Sequence, residues 1–187
     1  MYTCNNLKLI VTTKPGKENV VELQVGDTIY FHDNDVRIVH TGYRGVLLVY
    51  TSLDPWQAFW KVMSNPIHGA SRIVPVEICV QANTSLIVNS LLKLVENKKV
   101  REVSLEVTVR GKHVDEDELK NMLRDLLLKK KILIRHKAKY SAKVEVIDDI
   151  AIIAMIPKDI DKISKRISLI LKSIGLNSMK QERYRID

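Results

Sequence analysis

Cysteine is almost missing from this chain. Its two copies, Cys4 and Cys79, stand too far apart among 187 residues to suggest a disulfide framework or the close ligand pairs of a structural zinc site. Two reduced thiols in a reducing cytosol are the expectation, with Cys79, inside an apolar strand, inert and buried. The seven glycines are scattered and never assemble a phosphate-cradling loop, so no nucleotide cofactor is expected. The five histidines, His32, His40, His68, His113 and His136, are isolated from one another. None forms the helical pair with glutamate that a zinc hydrolase needs, and no metal is expected. The longest apolar run, residues 150–156, is far short of a membrane span. Asn5, Asn6 and Lys8 stand where a signal peptide would carry its apolar region. A soluble, cytoplasmic protein that meets no membrane is the reading.

Motifs that name a reaction are missing as well. Asp148 with Asp149, and Asp33 with Asp35, fall at chain reversals, where neighbouring acids are ordinary turn residues. The expectation is therefore a protein that is not an enzyme.

What the chain does have is positive charge, +8 overall with a pI near 9.4. Basic minus acidic residues count 5−5 over residues 1–50, 5−3 over 51–100, 12−10 over 101–150 and 8−4 over 151–187, so the excess lies C-terminal. Its densest block is residues 129–143, where Lys129, Lys130, Lys131, Arg135, Lys137, Lys139 and Lys143 meet no acid. Seven cations so close repel one another, and a polyanion such as RNA or DNA would offset that repulsion. The plain alternative is a solvated helix end and loop.

The first fifty residues alternate short apolar runs with turn signals and read as a small β-rich unit, with strands near 7–11, 20–25, 29–31 and 36–39. Residues 45–51 form a nearly continuous apolar run, as in a strand covered on both faces. Asp54-Pro55-Trp56-Gln57 opens a helix to about Ser64, with Asp54 as cap, Pro55 at the first helical position and Gln57 completing a capping box. Trp56, Phe59, Trp60 and Met63 share one face and read as core, because a base-stacking platform would interleave arginine or lysine among its rings. Residues 65–69 read as the hinge between two units. From Arg72 strands and helices alternate: strand 72–80, helix 85–96, strand 103–109, helix 116–130, and a hairpin of strands 142–147 and 150–156. Asp115 caps the 116–130 helix, and Leu119, Met122, Leu123, Leu126 and Leu127 form its apolar stripe. A last amphipathic helix is expected over 159–173, ended by Gly175 and followed by a loose tail.

Two sets of residues carry a family likeness. Ser71-Arg72-Ile73-Val74-Pro75-Val76-Glu77 with Cys79, then Val107-Thr108-Val109-Arg110-Gly111-Lys112-His113 running into the next helix, resembles the THUMP domain, an RNA-binding module of tRNA-modifying systems. A Gly-Val-Leu-Leu-Val run at residues 45–49 and an Asp-Pro-Trp helix start at 54–56 precede it, as in the small stand-alone THUMP proteins that assist cytidine acetylation of tRNA. The likeness covers roughly residues 42–157. It implies an α+β chain: a ferredoxin-like unit over 1–68, a THUMP domain over 69–157, and a C-terminal helix and tail over 158–187. It further implies binding of the acceptor region of tRNA and a separate acetyltransferase as partner, since only about thirty residues follow Ile156.

The candidate RNA contacts are Arg72, Arg110, Lys112, His113, Lys130, Lys131, Arg135, His136, Lys137, Lys139 and Lys143. Arg110, Lys112 and His113 flank the start of the 116–130 helix and the Arg135 group its end. A helix of that length spans about 24 Å, so a groove along several phosphates fits better than one pocket. Two rival readings are an enzyme with its site around His32, Asp33, Asp35 and His40, and an assembly protein docking its basic face on an acidic partner.

Overall fold

The computed structural model describes residues 1–65 and 67–165 of the chain. It is α+β, with two sheets and four α-helices among the described residues. Most of the helix expected over 159–173, and the tail after it, lie outside them. The part of that segment that is described begins as a turn, with Asp159 at φ 65°, and continues as a short 3-10 turn at Ile163–Lys165. No helix among the described residues is long and apolar enough to cross a membrane.

The first sheet is built from β1 (Leu7–Thr13), β2 (Arg37–His40), β3 (Val46–Tyr50) and β4 (Ala70–Pro75), in the order β2-β3-β1-β4. With α1 (Glu18–Tyr30) and α2 (Pro55–Ser64), the chain order is β-α-β-β-α-β, a ferredoxin-like arrangement. The β-rich reading of this unit is corrected at α1. Val21, Leu23 and Val25 alternate as a strand would, yet the side chains that are buried are Val21, Val25 and Ile29, one helical turn apart, while Leu23 is exposed. Packing against the sheet outweighs the β-preference of valine. α2 starts as its sequence dictates: Asp54 accepts from the backbone of Trp56 and Gln57 at 2.8 and 3.3 Å. Phe59 and Met63 are core, Trp56 is half-buried, and Trp60 is 48% exposed, against the expectation that all four were buried.

The strand expected over 72–80 is two strands. β4 pairs with β1 in the first sheet, and β5 (Ile78–Gln81) pairs with β9 (Ile150–Pro157) in the second, so the chain crosses between units at Val76 and Glu77. Residues 65–69 join α2 to β4 inside the first unit. Glu77 stands at the crossing: its carboxylate accepts from Trp56 Nε1 at 3.1 Å, Lys98 Nζ at 2.6 Å and Met155 N at 2.7 Å.

The second sheet runs β5-β9-β8-β6-β7, with β6 (Glu102–Arg110), β7 (Leu133–Ile134), β8 (Tyr140–Ile147) and β9 (Ile150–Pro157). α3 (Thr84–Lys98) and α4 (Glu116–Lys129) cover one face, Asp115 capping α4 through Glu118 N at 2.8 Å. In α4 Leu119, Leu123 and Leu127 are buried, whereas Met122 is exposed. β9 is apolar throughout because it serves two cores. Ile150, Ile152, Ala154 and Ile156 pack with the first unit, and Ala151, Ile153 and Met155 pack under the helices. The β8–β9 turn approaches Gly111 closely: a Cβ on Gly111 would lie 3.0 Å from Asp148 Cα, and φ is +129°. Glycine fits this position.

The expectation of two free thiols is overturned. Cys4 and Cys79, 75 residues apart, form a disulfide with Cα atoms 5.4 Å apart. Sequence distance concealed the pairing, because the segment before β1 folds back along edge strand β5. Tyr2 N donates to Asp149 Oδ1 at 3.1 Å beside it.

Candidate nucleic-acid interface

In β6, odd side chains pack under the helices and even ones, Ser104, Glu106, Thr108 and Arg110, face the other way. β8 matches them with Ser141, Lys143 and Glu145. β6 and β8 are parallel, so their starts lie together at one end of the sheet. β7 joins that end beside β6, and antiparallel β9 finishes there. The end of α4 and the loop after β7 gather at the same place. Arg135 N donates to Val103 O, and Lys158 N to Lys139 O, both at 2.9 Å.

A groove of about 410 Å³ opens there at the seam between the two units. Its basic lining comes from three separated segments: Arg72 of β4, Arg135 and His136 after β7, and Lys158 and Lys162 after β9. Glu106 and Asp159 are the acids in its wall. Lys131, Lys137 and Lys139 are exposed at the same end of the sheet, and among the described residues none is in an ion pair with a carboxylate.

Beneath the groove is a charge cluster. Glu106 receives Lys143 Nζ at 2.6 Å, Arg72 Nη1 at 3.1 Å and Ser141 Oγ at 2.8 Å. Buried Asp161 lies 3.1 Å from Lys143 Nζ and 3.8 Å from Arg72 Nη1. Burial pushes the Glu106 carboxyl up, but the hydrogen bond and charge of Lys143, with Ser141 and Arg72, outweigh it and hold the group at about 2. The cluster fixes the inner end of Arg72 and leaves it half-buried in the groove wall.

The sequence candidates therefore separate. Arg72, Arg135 and His136 meet in the groove, and Lys158 and Lys162 are groove residues that sequence reading missed. Lys158 follows the last strand and reaches the groove through the pairing of β9 with β8, which the sequence does not display. Lys162 was assigned to a helix that does not begin there. Lys143 is corrected: at 3% exposure between Glu106 and Asp161 it presents no charge to a ligand. Lys130 pairs with Glu96 at 2.9 Å, and Arg135 is near Glu102 at 3.6 Å, both exposed pairs that salt and a polyanion can displace. Arg110, Lys112 and His113 lie at the opposite end of β6. Arg110 binds Glu145 at 2.9 Å, and His113 lines a different cavity with Tyr2, Cys79 and Asp149.

The four residues of the rival active site divide: Asp33 and Asp35 line one cavity with Arg37, and His32 and His40 are not in its wall. Asp33 accepts from Thr51 Oγ1 and from Ser52 N at 2.7 Å, and these bonds lower its pKa. His40 Nε2 is 2.6 Å from Glu22, and His32 Nε2 is 2.8 Å from Lys61 Nζ.

No protein-family model matches the chain, and no curated protein does. Solved structures do. PH1313 from Pyrococcus horikoshii matches with a TM-score of 0.58 at 17% identity, over 81% of this chain and 55% of that one. TrmN from Thermus thermophilus matches with a TM-score of 0.63 at 14% identity, over 87% and 48%. A 4-thiouridine synthetase, solved as an RNA complex with bound ATP, matches with a TM-score of 0.55 at 14% identity, over 81% and 42%. The chain spans about half the length of these structures. The expectation of a protein that is not an enzyme is corrected, because the same fold recurs in TrmN and inside a synthetase. At these identities the likeness shows the fold alone: an α+β, THUMP-like arrangement of two units.

Proposed function

We propose that this protein holds tRNA during its modification, by phosphate contacts in the groove at the seam of the two units. The observation that carries the reading is the convergence of Arg72, Arg135, His136, Lys158 and Lys162 from three separated segments on one open groove of about 410 Å³. Fixed cations along a groove match a phosphate backbone and release its counterions. They position RNA without reading bases. A docked substrate turns an encounter into an effectively unimolecular step, and this is the contribution assigned to the chain. Two likenesses support it: the THUMP motifs in the sequence, and the fold of a synthetase solved with RNA. By the sequence resemblance, the RNA is held by its acceptor region, in the cytoplasm, and the modifying activity served is a cytidine acetyltransferase.

Titration of tRNA binding against salt tests the reading. Affinity is expected to fall steeply as salt rises, with a shallower slope after Arg135→Ala and Lys137→Ala. Absence of tRNA binding at low salt would sink it.

A further inference from the structure

We propose that the Cys4–Cys79 disulfide is a thiol-exchange site, broken and re-formed in the folded protein, where it releases and latches a strap made of residues 1–5. Structural disulfides resist reduction, whereas exposed ones are the labile and regulatory class. This one is open. Cys4 and Cys79 are each partly exposed, and both line two cavities that share no other wall residue, so the bond is the partition between them. One cavity, of about 530 Å³, is walled by Lys8, Asp54, Trp56 and Glu77. The other, of about 660 Å³, is walled by Tyr2, Asn83, His113 and Asp149. A thiol can approach the bond from either.

The two halves of the bridge are held unequally by the fold. Cys79 lies within β5, opposite Ile152 of β9, whereas Cys4 belongs to a segment without strand or helix in which Met1, Thr3 and Asn5 are exposed. That segment meets β1 at Asn6, whose φ of 57° turns the chain and whose carbonyl receives Thr51 N at 2.9 Å. Asparagine tolerates this left-handed turn, so a hinge is fixed at the strap's inner end. Tyr2 supplies two further ties: its N–H donates to Asp149 Oδ1 at 3.1 Å, and its hydroxyl accepts from Gly42 N at 3.0 Å. Neither is sealed from water. Breaking the disulfide therefore frees the strap and takes no residue out of either sheet. With the strap away, the wall that Met1, Tyr2 and Thr3 supply to the larger cavity is gone, and the outer strand β5 is left open. The fold thus carries a redox-controlled cover over one edge of its second sheet.

The exchange balances with a dithiol as reductant. One thiolate attacks a sulfur of the bridge, the S–S bond breaks, and its electron pair leaves on the other cysteine, which takes a proton from water. The second thiolate of the reagent then attacks the reagent sulfur of the mixed disulfide, which closes the reagent into its own disulfide and releases the first cysteine to be protonated in turn. Exchange with glutathione disulfide runs the other way and restores the bridge.

Dithiothreitol added to the full chain without denaturant tests the proposal, with iodoacetamide trapping and intact mass counting the free thiols. Both cysteines should be alkylated, at a rate that rises in proportion to dithiothreitol and exceeds the rate of global unfolding by about ten-fold or more. A rate that saturates at the unfolding rate shows a sealed bridge and overturns the proposal. The strap is read by backbone order parameters, which for Tyr2 to Asn5 should fall from about 0.85 to below about 0.6 on reduction, while β1, β8 and β9 stay near 0.85. Glutathione disulfide should restore the first values. Cys4→Ser should show the same loosened strap with no reductant, and the wild type with and without dithiothreitol carries the test if that variant does not fold. A strap that stays ordered after reduction overturns the proposal, because the bridge is then no latch. Loss of order throughout the strands overturns it too, because the bridge then holds the whole fold.

Discussion

Lys143 and Glu106 are register partners on the parallel strands β8 and β6, and Lys143 Nζ lies 2.6 Å from Glu106 Oε2. Because Lys143 is buried and also faces Asp161 at 3.1 Å, its charge is spent inside the protein. Lys143→Met would strand Asp161, whose carboxylate oxygens make no hydrogen bond among the described residues and face only Lys143 and, at 3.8 Å, Arg72. Breaking a buried pair from one side costs about 3–5 kcal/mol. Lys137→Ala, on the exposed loop, should stay within about 0.5 kcal/mol of wild type. Urea denaturation of both variants checks the contrast, and equal stabilities would show that Lys143 is not the anchor of the cluster.

Acid should find the same cluster. Glu106 is held at about 2, below its ordinary value of 4.5, so the unfolded chain takes up its proton first. A depressed carboxylate contributes stability that is fully present above the unfolded pKa and is lost as pH falls through the folded one. Stability should therefore decline between about pH 4.5 and 2. Glu106→Gln should be less stable at neutral pH and show a flatter decline across that window. Parallel denaturation curves of variant and wild type down to pH 2.5 would contradict the assignment.

Local sequence signals made much of this fold legible. Asp54-Pro55 and Asp115 announced α2 and α4 because a cap acts within three residues, and the apolar run at 150–156 announced strand β9. Long-range packing made the rest illegible. Val21 and Val25 imitate a strand until the sheet buries their helical stripe, and Cys4 meets Cys79 only after the first segment folds back on β5. The candidate site divides the same way. The basic block of residues 129–143 pointed, through Arg135 and His136, to the end of the second sheet where the groove opens. Charge counting could not see that Lys143 turns inward, or that β9 returns Lys158 to the side of Lys139.

Groove residues and far-end residues should behave differently toward RNA. Lys158 and Lys162 line the groove, whereas Lys112 lies on the loop at the other end of β6. Each phosphate contact removed lowers the salt slope by about 0.9 for duplex and about 0.7 for single-stranded nucleic acid. Lys162→Ala and Lys158→Ala should each show a reduction of that order, and Lys112→Ala none. The measurement is the salt dependence of binding for each variant, and equal slopes in all three would remove the groove as the contact surface.

The disulfide gives the last prediction. Cys4–Cys79 closes a loop of 75 residues and fastens the N-terminal segment to the outer strand of the second sheet, so it restrains the unfolded chain across both units. In the chain-entropy description a loop of that length is worth about 4 kcal/mol, before any change in the folded state. Cys4→Ser should lower the free energy of unfolding by an amount of that order, and a reducing agent should lower the wild type to the same level while leaving the variant unmoved. Reversible denaturation with and without reductant, beside an intact mass that gains two hydrogen atoms on reduction, checks both halves. The groove is built from β4, β6, β7 and the turn after β9, none of which the bridge touches. RNA affinity of the folded variant should therefore equal that of wild type, and a parallel loss of affinity would show that the clasp at β5 sets the seam where RNA is held.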